Sequence, residues 1–583
     1  MYPVRQKVRG SKTSTAGRGA ECQSERIMPG SVVRKMLVAG ILRPLYAETS
    51  FATVLIVICV SVALFTSTAV AASSINVPLD DWSYDALEKL AGFGLLSSDL
   101  KGTKPYPRSE VARLVLEALY AKQQDPNGIP ALAEYFLQRF QKEYRNELAL
   151  LDWGEGNTTG TFLKPINEAK IRYVYSDGKP TLFRGFPNNP TGINAGEGTP
   201  LVYNNEGVIY GEHHNASIQF SSSMQFLGIF SGYLEPLFLA RQNEGNLKGI
   251  EGAEVDLLKG YVKVSPWNIE FEAGRDSLWW GQGHHGTLLL SDNATPLDMM
   301  KLSNPVPFLL PWIFRYLGPL KYAFVLARLE ENRDRPHASL GGMRLDLKPF
   351  PNFEMGMIHT FLFGGRGQPG GGFGDYLELL SFSKSGGGSS DNTDQLTAFD
   401  FKFRIPRLRN TEIYLEWGGE NPGFDSDLKG FPFQDPGYII GIYVPRLTDD
   451  GLTDFRIEYA DNVSERDTGY WYGHTRYTSG YTYEGMILGH HMGPDARDVY
   501  ARITRYFRHD LLVGLDFDYT EFGRGLSPVV EQEYQVGLDA SFDLTDRIRA
   551  KSRFGYGAVN NFNLVGSDSR QNNLFATELS WRF

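Results

Sequence analysis

The sequence has few cysteines and few long apolar runs, and both shortages exclude classes of protein. Its only two cysteines among 583 residues, Cys22 and Cys59, precede residue 72, so the rest of the chain needs no disulfide and cannot hold zinc through thiolates. Mean hydropathy is −0.29, and one uncharged stretch, residues 49–72, is long enough to cross a bilayer as a helix. A polytopic helical membrane protein is therefore excluded.

The uncharged stretch has the features of a secretory signal peptide. Arg34, Lys35 and Arg43 precede it, and Ala69-Val70-Ala71 supplies the small residues that signal peptidase reads. We expect residues 1–71 to be a leader that is cut after Ala71. The alternative is a signal anchor that stays in the membrane.

The chain after the leader is acidic. Residues 72–583 contain 49 Lys and Arg against 65 Asp and Glu, a net charge of −16. Such a chain is a poor candidate for binding nucleic acid or for holding polyanions through bulk charge.

Residues 72–155 are predicted to form a small helical bundle. Asp81 is a plausible N-cap of a first helix, Pro107 can open a second and Pro130 a third. In the second helix, apolar residues recur at helical spacing, as a packed face requires. The apolar positions of that helix are Val111, Leu114, Val115, Ala118 and Leu119.

The rest of the chain alternates with a period of two, which is typical of strands with one apolar and one polar face. In Tyr534–Thr545, all even positions are apolar or aromatic, and the odd ones are polar or glycine. High glycine content, 63 residues, together with 13% aromatics also favours strands and turns. The same alternation is found in Trp267–Gly274, Phe399–Ile405, Thr411–Trp417, Phe455–Tyr459 and Leu511–Thr520.

Three features favour a membrane barrel over a soluble sandwich. Charged residues are dense on the polar faces, aromatic residues recur at the ends of the apolar faces, and residues 575–583 alternate up to a terminal Phe583. That last stretch resembles the closing strand that the outer-membrane barrel assembly machinery recognises. We therefore predict an all-β transmembrane barrel of about 16–18 antiparallel strands over residues 156–583, preceded by the small α-helical bundle.

The helical segment also carries a resemblance. Residues 77–90 (Val-Pro-Leu-Asp-Asp-Trp-Ser-Tyr-Asp-Ala-Leu-Glu-Lys-Leu), 94–96 and 107–112 resemble one S-layer-homology motif. Such motifs bind cell-wall polymers, usually as three copies, and only one is found here. The resemblance implies a peptidoglycan-linked polymer as a partner, and the alternative is a bundle that packs against or plugs another domain. The wall-binding candidates are Asp81, Trp82, Arg108 and Glu110.

One block breaks the strand pattern and is too apolar for a solvated loop. Residues 274–300 contain Arg-Asp-x-x-Trp-Trp-Gly-x-Gly and Leu-Leu-Leu-Ser-x-Asn-Ala-x-Pro-Leu-Asp, and several prolines follow. We expect this block to fold inward or lie across the barrel, where protein buries its backbone.

These motifs resemble the Wzi family of capsule-assembly outer-membrane proteins, as does the later stretch 472–495. The resemblance covers about residue 150 to the C-terminus, and Gln282 departs from it where the family often has Pro. It implies an outer-membrane barrel with a periplasmic helical bundle, acting as a lectin that holds capsular or extracellular polysaccharide at the cell surface.

The two motif blocks supply the candidate polysaccharide-binding or lumen-lining residues. Trp and Tyr rings stack on sugar rings, while Asp, Asn, Arg and His hydrogen-bond to hydroxyls. Barrel packing or a membrane-interface anchor is the alternative for the two tryptophans, and a lumen ion pair is the favoured interpretation of Arg275 and Asp276. The candidates are Arg275, Asp276, Trp279, Trp280, His284, Asn293, Asp298, Tyr472, His474, Arg476, Tyr477, Tyr481 and Tyr483.

Three adjacent histidine pairs suggest a metal at first sight: His213/His214, His284/His285 and His490/His491. Neighbours on a strand point to opposite faces, so one pair rarely supplies two ligands, and no established ligand spacing is present. We therefore predict no metal and no cofactor. The sequence also has no nucleophile elbow, phosphate loop or prominent carboxylate pair, so we predict a protein that is not an enzyme.

The sequence thus predicts a monomeric, polysaccharide-tethering barrel. Its expected partners are the glycan, outer-membrane lipid and the barrel assembly machinery. One alternative is a porin-like channel anchored to the cell wall through the helical bundle. Another is an enzyme that acts on exported glycan.

Overall fold

The chain closes into a single cylinder of strands. The structure is a computed structural model that describes residues 73–125, 128–151, 160–182, 198–242, 252–368, 372–380, 393–420, 433, 435–464 and 471–583. The predicted leader, 1–71, lies outside the described residues. In the described part, eighteen antiparallel strands pair in chain order and the last pairs with the first. This confirms the predicted barrel.

The barrel strands are joined mostly by short turns at one end, here the short-turn end, and mostly by longer connections at the other, the long-loop end. The β6–β7 connection, residues 304–318, is the long exception at the short-turn end. They are β1 (Phe162–Ser176), β2 (His213–Phe226), β3 (Phe230–Arg241), β4 (Ala253–Val264), β5 (Glu270–Asp276), β6 (Leu297–Ser303), β7 (Pro319–Arg328), β8 (Ser339–Phe350), β9 (Phe353–Phe363), β10 (Asp394–Ile405), β11 (Thr411–Glu420), β12 (Gly437–Val444), β13 (Thr453–Asp461), β14 (Ala496–Arg508), β15 (Leu511–Phe522), β16 (Glu531–Asp543), β17 (Ile548–Asn560) and β18 (Ser569–Arg582).

Helices and short strands complete the described structure. The helices are α1 (Trp82–Gly92), α2 (Arg108–Gln124), α3 (Ala131–Glu143), α4 (Arg145–Leu150) and α5 (Phe373–Leu380). Short strands are Thr103–Lys104, Trp279–Trp280, Phe308–Leu309, Thr482–Tyr483 and Met486–Ile487, and 3₁₀ turns are Trp312–Leu317, Pro406–Leu408 and Phe562–Leu564.

The last strand closes the barrel. β18 pairs with β17 on one side and with β1 on the other, in a register that sets Arg582 opposite Glu168 and Leu574 opposite Ser176. Closure leaves no unpaired sheet edge, and this is the condition under which strands can cross a bilayer.

The outside of the barrel is apolar. On β16, Tyr534, Val536 and Leu538 are 41–50% exposed, whereas Gln535 on the opposite face is buried. Aromatic rings such as Trp581 and Phe583 lie exposed near the short-turn end, and their centroids are 4.8 Å apart. An apolar belt with aromatic residues at its margin is typical of a barrel in lipid.

The inside of the barrel is charged, and its charges are paired. Arg344 on β8 is completely buried and contacts Asp346 at 2.5 Å and Asp400 at 2.9 Å. Lys263 contacts Glu270 at 2.8 Å. A buried charge without a partner costs free energy. Because these charges are paired, the polar inner wall can be covered by protein that fills the lumen.

The helices begin where the sequence predicts. The Asp81 carboxylate accepts a hydrogen bond from the Ser83 N–H at 2.8 Å and caps α1, and Pro107 and Pro130 immediately precede α2 and α3. The prediction of three helices was wrong by one: the backbone of Tyr144 leaves the helical region, and α4 starts beyond it. No Gly or Pro marks this break in the sequence.

The helical unit lies against the short-turn end. Lys89 of α1 contacts Asp454 at the start of β13 at 3.0 Å, and Arg582 at the end of β18 contacts Asp81 at 2.6 Å. The helices are therefore attached to the barrel wall through ion pairs. Among the described residues, none of the helices combines the length and apolarity that crossing a membrane requires.

Replacing Trp82 by Ala is expected to loosen the helical unit and leave the barrel intact. The Trp82 ring is 5% exposed and lies 4.5 Å from the Phe140 ring, and truncating a buried Trp costs about 3–5 kcal/mol. Trypsin should cleave the variant within residues 108–145 much faster than the parent protein, with unchanged heat-modifiable gel mobility. Trp312→Ala is the control, because that side chain is 87% exposed. Equal protection of both variants would contradict this packing role.

Candidate functional site

The connection between β5 and β6 crosses the lumen. This first inward loop, residues 277–296, reaches strands six and eight positions away around the barrel. Glu416 on β11 accepts hydrogen bonds from the N–H groups of Gly283 at 2.7 Å and Leu288 at 3.0 Å. Glu458 on β13 accepts them from both residues of the His284/His285 pair at 2.8 Å. Two wall carboxylates thus hold four backbone amides of the loop.

Glycine is required where this loop meets the wall. Gly281 has a φ of +148°, and a Cβ there would lie 2.2 Å from the Glu416 Oε1. A Cβ on Gly283 would lie 2.0 Å from the Gly286 carbonyl oxygen. The two glycines therefore let the loop backbone approach the Glu416 carboxylate and turn back on the Gly286 carbonyl without a clash.

A second inward loop packs on the first. It is the described part of the β13–β14 connection, residues 471–495. The Tyr472 hydroxyl donates to the Leu288 carbonyl at 2.7 Å, and the Ser291 N–H donates to the Leu488 carbonyl at 2.8 Å. Together the two loops form a plug, and its apolar side chains share one hydrophobic core, here the plug core, with the barrel wall around them.

Most of the predicted aromatic candidates lie inside this plug. The Trp280 ring is fully buried beside Leu288 and Leu290, and the short strand that contains it pairs with Thr103–Lys104. The Asn293 side chain joins the loops by donating to the Ile487 carbonyl at 3.1 Å. The candidates in the plug core, each at most 2% exposed, are Trp280, Asn293, Tyr472, Tyr477, Tyr481 and Tyr483.

Arg275 and Asp276 do not pair with each other, which corrects the favoured interpretation. As neighbours on β5 they point to opposite faces. The Arg275 guanidinium bonds Asp298 on β6 at 2.8 and 2.9 Å, on the same outward face as Phe271. Asp276 points inward and accepts from the Asn76 side chain at 2.7 Å. The Arg275–Asp298 pair lies near the long-loop end.

The remaining candidates are less buried. His474 Nδ1 accepts from the Arg476 N–H at 3.2 Å within a local turn, and both side chains are partly exposed. His284 and Trp279 line an internal cavity of about 220 Å³ between the first inward loop and the helical unit. Burial, reinforced by the positive charge of Arg456, lowers the pKa of His284 well below its usual value.

A larger cavity lies between the helices and the barrel wall. It has a volume of about 380 Å³, and Asp85 lines both it and the smaller one. Burial raises the pKa of Asp85, and the nearby Glu88 carboxylate adds to the effect. The smaller cavity lies between the first inward loop and the helical unit, whereas the larger one lies between the helical unit and the barrel wall near the short-turn end.

The long-loop end carries a separate open groove, here the outer groove. It has a volume of about 420 Å³ and lies between the β1–β2 connection, the adjoining ends of β16, β17 and β18, and the β17–β18 connection. The Arg570 guanidinium lies 3.6 Å above the centroid of the Phe562 ring, and the Tyr203 hydroxyl accepts from the Gln535 amide at 2.6 Å. The groove is lined by Asp177, Lys179, Tyr203, Glu212, Glu531, Glu533, Phe562, Arg570, Gln571 and Asn572, among others.

These features agree with one protein family. A family model described as "Capsule assembly protein Wzi" matches residues 184–574. The chain belongs to this family.

Two known proteins are similar to this Wzi-family chain. A curated Klebsiella pneumoniae protein, described as an uncharacterized 55.8 kDa protein in the cps region, is 28% identical over 169 residues, which cover 28% of this chain. The match spans about a third of that relative, 33% of its length. A solved structure described as Wzi from Escherichia coli, an outer-membrane carbohydrate-binding β-barrel involved in group 1 capsule assembly, has a TM-score of 0.63 at 20% identity. It covers 88% of this chain and 100% of its own.

Gln282 has a structural role in this family member. Its Nε2 donates to Glu354 and to Asp400, both at 2.9 Å. A proline at this position could make neither hydrogen bond. The departure noted in the sequence therefore adds a polar attachment of the first inward loop to β9 and β10.

The wall-binding candidates all have partners within the protein. Arg108 donates to the Glu143 carbonyl at 2.7 Å and lies 4.0 Å above the Tyr144 ring. Glu110 accepts from Arg113 at 2.7 Å, and Trp82 donates to the Glu143 carboxylate at 3.1 Å. With Asp81 capping α1, the four side chains are used to build the helical unit.

The sequence did not single out the residues that build the outer groove or hold the plug. Glu416 lies in a strand that the alternation predicts, and its polar face was expected to line the lumen. Its contact with Gly283 could not be predicted, because the two residues are 133 positions apart. The groove residues come from the β1–β2 connection, the β17–β18 connection and the ends of β16, β17 and β18, which have no motif in common.

Proposed function

We propose that this Wzi-family protein is a non-enzymatic lectin that holds capsular or extracellular polysaccharide at the cell surface. The observation that carries the proposal is an open groove with aromatic and hydrogen-bonding side chains at the long-loop end of a barrel whose lumen is crossed by a plug. The carbohydrate binding and the role in group 1 capsule assembly that are described for the similar E. coli protein support the class of ligand.

The groove suits hydroxyl-rich sugars. The Arg570–Phe562 pair offers a flat surface, and Gln571 and Lys179 are exposed donors beside it. Amide, guanidinium and ammonium groups donate to sugar hydroxyls, and carboxylates accept from them. The lining has four carboxylates, on Asp177, Glu212, Glu531 and Glu533, against two cations, so we infer that it favours neutral or sparsely charged stretches of glycan.

The proposal also gives the orientation of the barrel in the outer membrane. Outer-membrane barrels have short periplasmic turns and longer extracellular connections. We infer that the helical unit faces the periplasm, that the outer groove faces the exterior, and that the signal peptide directs export. The barrel assembly machinery, outer-membrane lipid and, through the S-layer-like segment, a peptidoglycan-linked polymer remain proposed partners, and the protein is proposed to act as a monomer.

The plug weighs against the porin-like alternative. A diffusion channel needs an open water path, and here two loops and the wall carboxylates Glu416 and Glu458 occupy the lumen. Turnover of isolated glycan by the pure protein, lost on replacing one lumen carboxylate, would instead support an enzyme.

A deletion strain tests the tethering role. Cells that lack the protein are expected to lose a large share of cell-associated polysaccharide and to release it into the medium, with total synthesis unchanged. Polysaccharide in the two fractions is measured against wild type and a complemented strain. Identical distributions in all three strains would refute tethering.

A further inference from the structure

Two of the histidine pairs meet inside the barrel. His285 of the first inward loop and His491 of the second have ring centroids 4.5 Å apart, at an interplanar angle of 81°. With Asp498 on β14, each offers one ligand atom, and the three atoms lie within 4.8 Å of one another. Each ligand comes from a different element, so the sequence argument against a ligating pair of adjacent histidines does not apply.

The cluster contains polar atoms without partners. In the part of the chain that the structure describes, the buried Nε2 of His491 and Oδ1 of Asp518 have no hydrogen-bond partner. His491 is 6% exposed, and the other oxygen of Asp518 lies 3.1 Å from the Nε2 of His285. A buried acceptor nitrogen with no donor costs free energy that a bound cation would recover.

The surroundings hold these side chains in place. The Thr520 hydroxyl donates to Asp498 Oδ2 at 3.0 Å. The Tyr500 ring stacks on His285 at 3.9 Å, and the Tyr203 ring stacks on His491 at 4.2 Å. Fixed ring orientation and an outer layer of hydrogen bonds are typical of metal-ligating histidines.

Charge also favours a cation here. Asp498 and Asp518 lie on paired strands and both project into the same buried cluster, where two carboxylates repel each other. Imidazole nitrogens together with carboxylate oxygen suit Zn²⁺ and neighbouring divalent transition metals. Such a site holds its ligand atoms about 3.4 Å apart, so small side-chain rotations would complete it.

We propose that His285, His491 and Asp498 bind a divalent transition-metal ion such as Zn²⁺, with Asp518 beside them. The ion links both inward loops to the barrel wall and fastens the plug. This site is separate from the outer groove and does not depend on the proposed polysaccharide role. It revises the prediction of no metal that the sequence alone supports.

Zinc binding to the purified, untagged barrel tests the site. After EDTA treatment and removal of the chelator, the detergent-solubilised protein is titrated with ZnCl₂ by calorimetry. We expect one Zn²⁺ per chain, and at least tenfold weaker binding for His285→Ala, His491→Ala and Asp498→Asn. The control His213→Ala/His214→Ala removes an adjacent pair in β2 and should bind like wild type.

A measurement on the unmutated protein guards against misfolded variants. Co²⁺ added to the chelator-treated wild type should give visible d–d absorption that one equivalent of Zn²⁺ abolishes. Heat-modifiable gel mobility identifies the folded variants. The proposal is overturned if the folded wild-type protein does not bind one equivalent of Zn²⁺ or Co²⁺. A protonated His285 would then offset the negative charge of Asp498 and Asp518. The proposal is also overturned if folded His491→Ala binds Zn²⁺ as wild type does, or if the control variant loses binding equally.

Discussion

Replacing Glu416 and Glu458 together by Ala is expected to open the lumen to ions. These carboxylates accept four backbone hydrogen bonds from the first inward loop. A buried N–H that loses its acceptor costs about 1–3 kcal/mol, so docking of the loop should weaken by on the order of 6 kcal/mol. The second inward loop loses its support, because it packs on the same segment.

Single-channel recording in planar bilayers measures this effect. The variant should show stable conductance steps that the parent protein lacks. The matched control is Asp516→Asn/Asp539→Asn, which also removes two lumen carboxylates, but ones that bind Arg502 and Arg553 and no loop backbone. If the parent protein already conducts like an open porin, or if the control opens equally, the carboxylates do not hold a plug.

Replacing Arg570 and Gln571 together by Ala is expected to reduce polysaccharide binding at least tenfold. Arg570 lies on the Phe562 ring, and both substituted side chains are exposed at the outer groove. Removing one charged and one neutral donor that contact sugar hydroxyls should cost about 1.5 kcal/mol or more in binding free energy, which is more than tenfold in affinity. Binding is measured with isolated polysaccharide on the detergent-solubilised protein, and retention is measured on complemented cells.

The control for the groove variant replaces the same two residue types at the other end of the molecule. Gln138→Ala/Arg547→Ala removes an exposed Gln and an exposed Arg near the short-turn end and should leave binding unchanged. Trp280→Ala should instead lose normal heat-modifiable mobility, because Trp280 packs in the plug core. Equal binding by the groove variant and the control would place the ligand elsewhere on the molecule.

The two predictions separate closure of the lumen by the plug from recognition of glycan at the outer groove. Glu416 and Glu458 act on the plug from within the lumen, whereas Arg570 and Gln571 line the outer groove at the long-loop end. Tyr203 lies at the boundary, because it lines the outer groove and stacks on His491 of the plug. A groove variant that keeps the lumen closed, and an open variant that keeps binding glycan, would show that the two roles are independent.

The fold could be predicted because its pattern is local. Alternation along Tyr534–Thr545 places Val536 toward lipid and Gln535 toward the lumen, whichever strands lie beside it. The N-cap at Asp81 and the prolines before α2 and α3 likewise act on their own neighbours. The inward block was recognised because its apolar residues cannot serve a solvated loop.

The sequence could not predict which partners the side chains of the site would contact. The motifs drew attention to Trp280, Tyr472 and Tyr481 as sugar platforms, and the structure packs them in the plug core. Arg275 found its partner across the strand in Asp298, 23 residues away, and not in its neighbour Asp276.

The sequence by itself determined a closed barrel, a helical unit before it and membership of a capsule-assembly family, because period, caps and motifs are short-range properties of the chain. Only the tertiary structure decided that Glu416 holds Gly283, that His285 meets His491 and that Arg570 faces an open groove. Each of these contacts joins segments far apart in the chain, and barrel closure, which fixes the positions of all eighteen strands at once, brings them together.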